Sequence, residues 1–496
     1  KLRRVKGFQE TESAMADPEL SSSKKQAALR LEKAVEQNRR LRAKFPDEPG
    51  KFLASEVELH RAITSLGELA VDGSLADWLG RTTFTVLTSL LTHENSDIAA
   101  DVVRAVTEMI NEASEDEVMA MIQQLWNSSW PEALWEALQC VLSASDEAWS
   151  EESTELARVA LDWIDAVAEV IPSDQLGDQM ADVNDGVWIR WLCSTIQRGS
   201  SLSSHAAEQL SVLVQLSGKA RLALIRGSGI STLLSTVQSR VTGEDALHDN
   251  ADIDLVMDCL HTLCCCLMTS SGRVAFASGS GFEIALHLVR TCPKLRGSAL
   301  RMLDFSVSGS NPAELTGTQF IATGGLGVIF PILRAIKARK DTEHCVSVIA
   351  SLFRLVEEGT PEFRRLIGKL RSNDYLEVRN ICRMFTNFYQ KVLQVQVSNE
   401  ESEESAFSRT LDAGLLIAQQ AGLILILFSR CSPSHQDVVM EELVQRNVGV
   451  GKFIEFLENF DNSDEGTRKL DRTETTRIDA QIRASISSFK DRILPS

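Results

Sequence analysis

Through most of the chain, apolar residues recur at i, i+3, i+4 and i+7, the spacing that lines one face of an α-helix. It is plain in "ALRLEKAVEQNRRL" (28–41), "DIAADVVRAVTEMI" (97–110), "ARVALDWIDAVAEV" (157–170), "EQLSVLVQL" (208–216) and "LVMDCLHTLCCCLM" (255–268). Neither the alternating runs that build half-buried strands nor an Asn-Gly hairpin turn interrupts this pattern. The spacing predicts an all-α protein.

A longer period lies over the helical one. "LIRGSGISTLLSTV" (224–237), "FASGSGFEIALHLV" (276–289) and "FIATGGLGVIFPIL" (320–333) align on Gly229, Gly281 and Gly325, and "NDGVWIRWLCSTI" (184–196) adds a weaker fourth mark at Gly186. The marks are 43, 52 and 44 residues apart, near the period of armadillo and HEAT units. Glycine there lets one helix end and the next begin within a few residues, and lets a neighbour approach closely. Amphipathic helices at 206–216, 254–268 and 344–357 alternate with the marks, so helix pairs stacking into a superhelix are expected. The predicted architecture is an armadillo/HEAT-type right-handed α-solenoid with an N-terminal helical extension and a C-terminal helical cap.

Punctuation divides the chain into four stretches. Residues 1–50 form a basic helical extension ending in a proline hinge, 51–395 the repeat array, 396–408 an acidic linker around "SNEESEES" (398–405), and 409–496 a helical C-terminal region. Loops are expected at 240–252 and 308–318. The apolar run 411–428 contains Asp412, Gln419 and Gln420, so it is read within a buried helix (410–431) and not as a membrane span. The sequence opens on Lys1 without a secretory leader, and its natural start is expected upstream. Ten cysteines lie mostly in apolar helical runs, which fits a reducing compartment, cytosol or nucleus.

Charge adds direction. Net charge is −18, but residues 1–44 hold 12 Lys+Arg against 6 Asp+Glu, leaving −24 on the remainder. An acidic body repels the phosphate backbone and attracts basic peptides, so no sequence-specific nucleic-acid contact is expected of it.

The hinge "RAKFPDEPGKFLASE" (42–56), "THENSDIAADVV" (92–103), "LCCCLMTSSGR" (263–273), "SALRMLDF" (298–305), "GLGVIFPIL" (325–333) and "RTLDAGLLIAQQ" (409–420) resemble, in order, landmarks of the beta-catenin-like protein 1 family. The resemblance runs from about residue 24 to 460 and is thin along 110–180. It implies an armadillo-fold nuclear protein associated with the spliceosome; from the residues themselves, neither enzymatic activity nor a cofactor is expected. The implied partners are lysine/arginine-rich, localisation-signal-like segments of splicing factors of the Prp-nineteen-associated complex and, in vertebrates, of a DNA deaminase. Self-association stays open. The resemblance also makes the hinge a fixed element, as proline's preset φ does on physical grounds.

Four groups of residues are singled out. Residues 146–185 hold 12 Asp+Glu against Arg158 alone, and Asp162, Asp165 and Glu169 share a helix face. They read either as a solvated acidic face or as a groove for a cationic peptide, which Glu208, Asp254 and Asp258 would extend. Trp126-Asn127 has the letters of the pairs with which import adaptors clamp lysine stems, although tryptophan is more often a packing residue. Lys24, Lys25, Arg39, Arg40, Arg42 and Lys44 read as a localisation signal, an RNA-backbone contact, or a helix docked on the acidic body; in the last case it would compete with basic partners for the groove. Cys259, His261, Cys264 and Cys265 splay around a helix and are read as buried small residues, not zinc ligands. No phosphate loop, H-E-x-x-H or G-x-S-x-G is present. The reading is a non-enzymatic nuclear scaffold; the alternative is a nuclear transport adaptor, which a regular series of Trp-Asn pairs would mark.

Overall fold

The computed structural model describes residues 18–70, 81–143, 150–242, 250–308, 315–395, 403–463, 483–484, 486–487 and 489, and among them there is no strand. The chain is an all-α protein of stacked helices, and it divides into two compact units, Lys1–Ala223 and Leu224–Ser496.

The first unit is built on five long helices that pack in succession: Pro18–Lys44, Leu53–Ala70, Ser96–Glu112, Glu151–Ala168 and Ser203–Leu216. Each buries apolar residues along its length. In Ser96–Glu112 these are Ile98, Ala99, Ala100, Val102, Val103, Ala105, Val106, Met109 and Ile110, which cover more than one face. Short side chains such as Ala99 and Ala105 let neighbouring helices come close. Starts are set locally: Asn95 caps one helix by accepting from Asp97 N at 3.0 Å, and Ser150 caps another by accepting from Ser153 N at 3.1 Å.

The double-proline hinge is an ordered turn. Phe45 N donates to Leu41 O, Glu48 N to Phe45 O, and Phe52 N to Pro49 O, with Pro49 opening a 3-10 turn, Pro49–Lys51. Arg42 lies over the Phe52 ring at 4.5 Å, pairs with Glu56 at 2.5 Å and also with Glu94. Buried Asn38 donates to Ser55 Oγ at 3.1 Å. The basic helix is therefore no tethered competitor for a distant groove. Ala27, Leu31 and Ala34 are buried and the helix packs on Leu53–Ala70 as the first layer of the stack.

In the second unit the repeat is a triplet of helices, where helix pairs were expected. Asn250–Leu267, Ser270–Ser278 and Gly281–Thr291 form one unit, Arg296–Ser306, Thr316–Ala322 and Leu326–Ala335 the next, and Arg339–Leu355 begins a third. The middle helix of each triplet has nine or seven residues, too few to show a 3.6-residue period. The register glycines have a shared cause. A Cβ on Gly229 would stand 2.2 Å from Leu224 Cδ1, one on Gly281 2.5 Å from the Phe276 ring, and one on Gly325 2.4 Å from the Phe320 ring. In all three, the apolar residue five positions earlier folds back onto the glycine.

Two boundaries differ from expectation. Residues 403–408, expected in the acidic linker, belong to the helix Glu403–Asp412, while 396–402 lie outside the described residues. The apolar stretch 410–431 breaks at Gly414, φ +99°, and resumes as Leu415–Arg430, which is mostly buried. No single described helix is long and apolar enough to cross a membrane. Most of the segment 476–489 lies outside the described residues, but Phe489 is buried against Phe453, ring centroids 6.2 Å apart.

The glycine contacts predict opposite outcomes for one substitution. Gly281→Ala should cost about 1–3 kcal/mol by forcing the Phe276 ring aside. Gly368→Ala, in an exposed helix turn with nothing within 4 Å of the new methyl, should gain up to about 1 kcal/mol. Thermal melts of both variants check this; a neutral Gly281→Ala would remove the packing explanation of the repeat marks.

Candidate functional site: a charged ladder on the first unit

Stacking the long helices brings one polar stripe of each beside that of the next. His60 Nδ1 lies 2.5 Å from Asp101 Oδ2, and Asp101 Oδ1 accepts from Arg104 Nη1 at 2.5 Å. Arg104 Nη2 reaches across to Glu155 Oε1 at 2.6 Å. Glu155 also takes Arg158 through Nε at 2.9 Å and Nη2 at 2.7 Å, and Arg158 Nη1 donates to Asp162 at 2.6 Å. His205 Nδ1 stands 4.0 Å from Asp162, and Gln209 Nε2 donates to Asp165 at 2.9 Å. The ladder thus runs over four successive helices, Leu53–Ala70, Ser96–Glu112, Glu151–Ala168 and Ser203–Leu216. Its spacing follows from helix geometry: 101/104, 155/158/162/165 and 205/209 are i, i+3 or i, i+4 neighbours.

Glu155 is the pivot of this network. Hydrogen bonds from Arg158 and then Arg104 hold its carboxyl down at about 2, against an opposing push from burial. The same bond to Glu155 raises Arg158. Asp101, Glu155 and Asp162 are thereby met by Arg104 and Arg158.

The predicted acids are not on equal terms. Asp162 is half-buried and engaged by Arg158, so it is not the open carboxylate that the sequence suggested. Asp165 is exposed and, among the described residues, its carboxylate holds only the neutral Gln209 amide. Glu169 is exposed at the end of the same helix, and Glu208 is exposed on Ser203–Leu216. Asp254 and Asp258 lie on Asn250–Leu267 in the second unit, Asp254 exposed and Asp258 half-buried.

Trp126 ends no clamp. Its ring stacks on Trp163 with centroids 5.9 Å apart, while Asn127 is exposed at the end of the helix Glu115–Asn127. From Trp163 the contacts continue to Trp130, at 6.3 Å, and to Trp188, at 6.3 Å; Trp188 meets Trp135 and Trp191 and donates from Nε1 to Pro131 O at 3.3 Å. Trp130, Trp163 and Trp188 have no exposed surface, so they are core, while Trp126 and Trp135 are half-buried beside them. Among the basic candidates Arg39, Arg40 and Lys44 are exposed and Arg42 is pinned by Glu56 and Glu94. Lys24 and Lys25 fall in Pro18–Lys44, with side chains outside the described residues.

Sequence reasoning passed over His60, Asp101, Arg104 and His205. The repeated Asp/Glu–x–x–Arg of 101/104 and 155/158 was the available signal, but its meaning needs the helix pairing. Cys259, Cys264, Cys265 and Cys266 are buried in Asn250–Leu267, and burial pushes the Cys264 thiol up to about 12, well away from the thiolate a metal takes. Among the described residues no three His, Cys, Asp or Glu are grouped to hold a metal.

Comparison with known proteins adds a relationship. The family described as catenin-beta-like, Arm-motif containing nuclear matches residues 5–458. The chain is 25% identical over 417 residues to the beta-catenin-like protein 1 homolog of Schizosaccharomyces pombe, covering 81% of this chain and 72% of that one. It is 26% identical over 436 residues to beta-catenin-like protein 1 of Homo sapiens, covering 82% and 75%. A crystal structure of an engineered protein aligns with TM-score 0.50 at 14% identity, over 87% of this chain and 95% of that one, a likeness of fold alone.

Because the Glu155 carboxyl sits near 2 in the folded chain and near 4.5 when free, it stabilises the fold above about pH 4.5, and that contribution is lost as pH falls toward 2. Its side chain is 36% exposed, so the effect at neutral pH is at most about 1 kcal/mol. Glu155→Gln should melt lower than the parent at pH 7, with the gap closing toward pH 2. A gap constant over that range would contradict the ladder's account.

Proposed function

The chain belongs to the catenin-beta-like family of Arm-motif-containing nuclear proteins, an armadillo-repeat family and not an enzyme family, and from that premise we propose that it is a nuclear scaffold of the pre-mRNA splicing machinery that receives basic segments of splicing factors on the ladder of its first unit. The observation that carries the proposal is Asp165 and Glu208, exposed on two packed long helices and met by no cation among the described residues, beside Asp162. A peptide lysine or arginine placed there gains charge-assisted contacts with these carboxylates. It also meets Arg158, which holds Glu155 and Asp162 from the same side, so the chain's own arginine sets how much acidic surface is offered.

The spliceosomal assignment rests on family resemblance, and the basic-segment reading on resemblance and charge together. The transport-adaptor alternative lacks support: the sequence has one Trp-Asn pair, and its tryptophan is packed on Trp163.

Two variants test the site with opposite signs. Replacing Asp165, Glu169 and Glu208 by Asn/Gln should weaken a Lys/Arg-rich splicing-factor peptide about tenfold, since each exposed pair contributes about 0.2–1 kcal/mol. Arg158→Gln should strengthen the same peptide several-fold by releasing Glu155 and Asp162. Both effects should shrink with salt. Fluorescence anisotropy reads them, and unchanged affinity in both variants would put the site elsewhere. For the spliceosomal assignment, immunoprecipitation from nuclear extract should enrich small nuclear RNAs over ribosomal RNA; equal recovery would reject it.

A further inference from the structure

The second unit reverses the charge pattern at one place. The connection between Leu326–Ala335 and Arg339–Leu355 reads "LRAIKARK" (333–340), with Arg334, Lys337, Arg339 and Lys340 within seven residues of a strongly acidic chain. A cleft of about 250 Å³ opens beside it, lined by Arg334, Lys337 and Thr342 and, from the helix run Pro361–Leu393, by Asn380, Arg383 and Met384. Among the described residues, no carboxylate lines this cleft.

Its cations are not equivalent. Arg334 pairs with buried Glu377 and is neutralised. Arg339 turns away, donating to Leu411 O at 2.7 Å and to Asp412 at 3.1 Å, which anchors the connection. Lys337 and Arg383 are exposed and neither meets a carboxylate among the described residues. Arg383 Nη2 donates to Asn380 Oδ1 at 2.9 Å, which leaves the Asn380 amide nitrogen as a further donor. Two free cations, a fixed amide and a neutralised guanidinium therefore surround an opening with an apolar floor of Leu333, Ile336 and Met384.

We propose that this cleft binds a phosphorylated serine or threonine in a segment of a partner protein. A phosphoryl group carries about −1.5 to −2 charges and three acceptor oxygens, which matches Lys337, Arg383 and the Asn380 amide. An apolar neighbour in the segment packs on Ile336 and Met384. The volume lies below the roughly 300–1,000 Å³ of pockets that enclose drug-sized ligands, so it suits one phosphoryl side chain and not a nucleotide. A long nucleic-acid polyanion would also have to pass over a body of strong negative charge, which a short segment avoids. This site is independent of the cation-binding ladder of the first unit and goes beyond the function proposed above.

The test uses the full chain and an oriented peptide library with a fixed phosphoserine or phosphothreonine and randomised flanks, beside its unphosphorylated twin. The phosphorylated library should be retained at least tenfold better, and Lys337→Ala with Arg383→Ala should remove the difference while the melting temperature holds. If the double variant melts lower, Lys337→Ala alone, at an exposed position, should still weaken retention several-fold. Equal retention of both libraries, or retention untouched by these variants, would overturn the proposal. So would a single-stranded RNA of equal charge that binds more tightly and loses binding in the same variants.

Discussion

The structure depends on one packing constraint: each long helix of the stack must bury apolar side chains against the helix before it and the helix after it. Ser96–Glu112 packs on both Leu53–Ala70 and Glu151–Ala168, and its buried residues leave only a narrow stripe for charge. Charges confined to stripes on adjacent helices must face one another. The ladder from His60 to Asp165 is the result. Its ion pairs are surface pairs and contribute little to stability; apolar burial holds the stack, and the ladder decides what its rim presents.

The same constraint explains why the acidic stretch is less open than its composition suggests. The single basic residue among the twelve acids of 146–185, Arg158, is placed to hold Glu155 and Asp162 together, and Arg104 reaches in from the preceding helix. Asp165 and Glu208 stay exposed and are met by no cation among the described residues. In the second unit, the connection at 333–340 gathers cations beside a cleft that no acid lines among the described residues, so the two units offer opposite chemistries.

Much of the fold was legible because it is written in local periods. The long helices follow from apolar spacing, and the marks at Gly229, Gly281 and Gly325 follow from a backbone position that cannot carry a Cβ against Leu224, Phe276 and Phe320. The rigid hinge was legible from Pro46 and Pro49, but the role of its helix was not. Leu31 and Ala34 are buried against Leu53–Ala70, and a count of +6 against −24 carries no information about packing. The middle helix of each triplet was missed because it is short, nine residues in Ser270–Ser278 and seven in Thr316–Ala322. The site was legible as a face and not as a network: Asp162, Asp165 and Glu169 share a side by spacing, whereas Arg104 and His205 reach it only through helix pairing. Trp126 shows the limit of letters alone, since its neighbour Trp163 is 37 positions away in sequence.

The central claim is that basic segments seat on the rim of the first unit, over Glu151–Ala168 and Ser203–Leu216. Photo-crosslinking measures this most directly: a Lys/Arg-rich splicing-factor peptide with a benzophenone beside its basic run is bound to the full chain, irradiated, and its attachment sites are mapped by mass spectrometry. The account predicts attachment concentrated on these two helices, near Asp165 and Glu208, and suppressed by salt. Attachment concentrated in the second unit, or spread evenly over the chain, would contradict it.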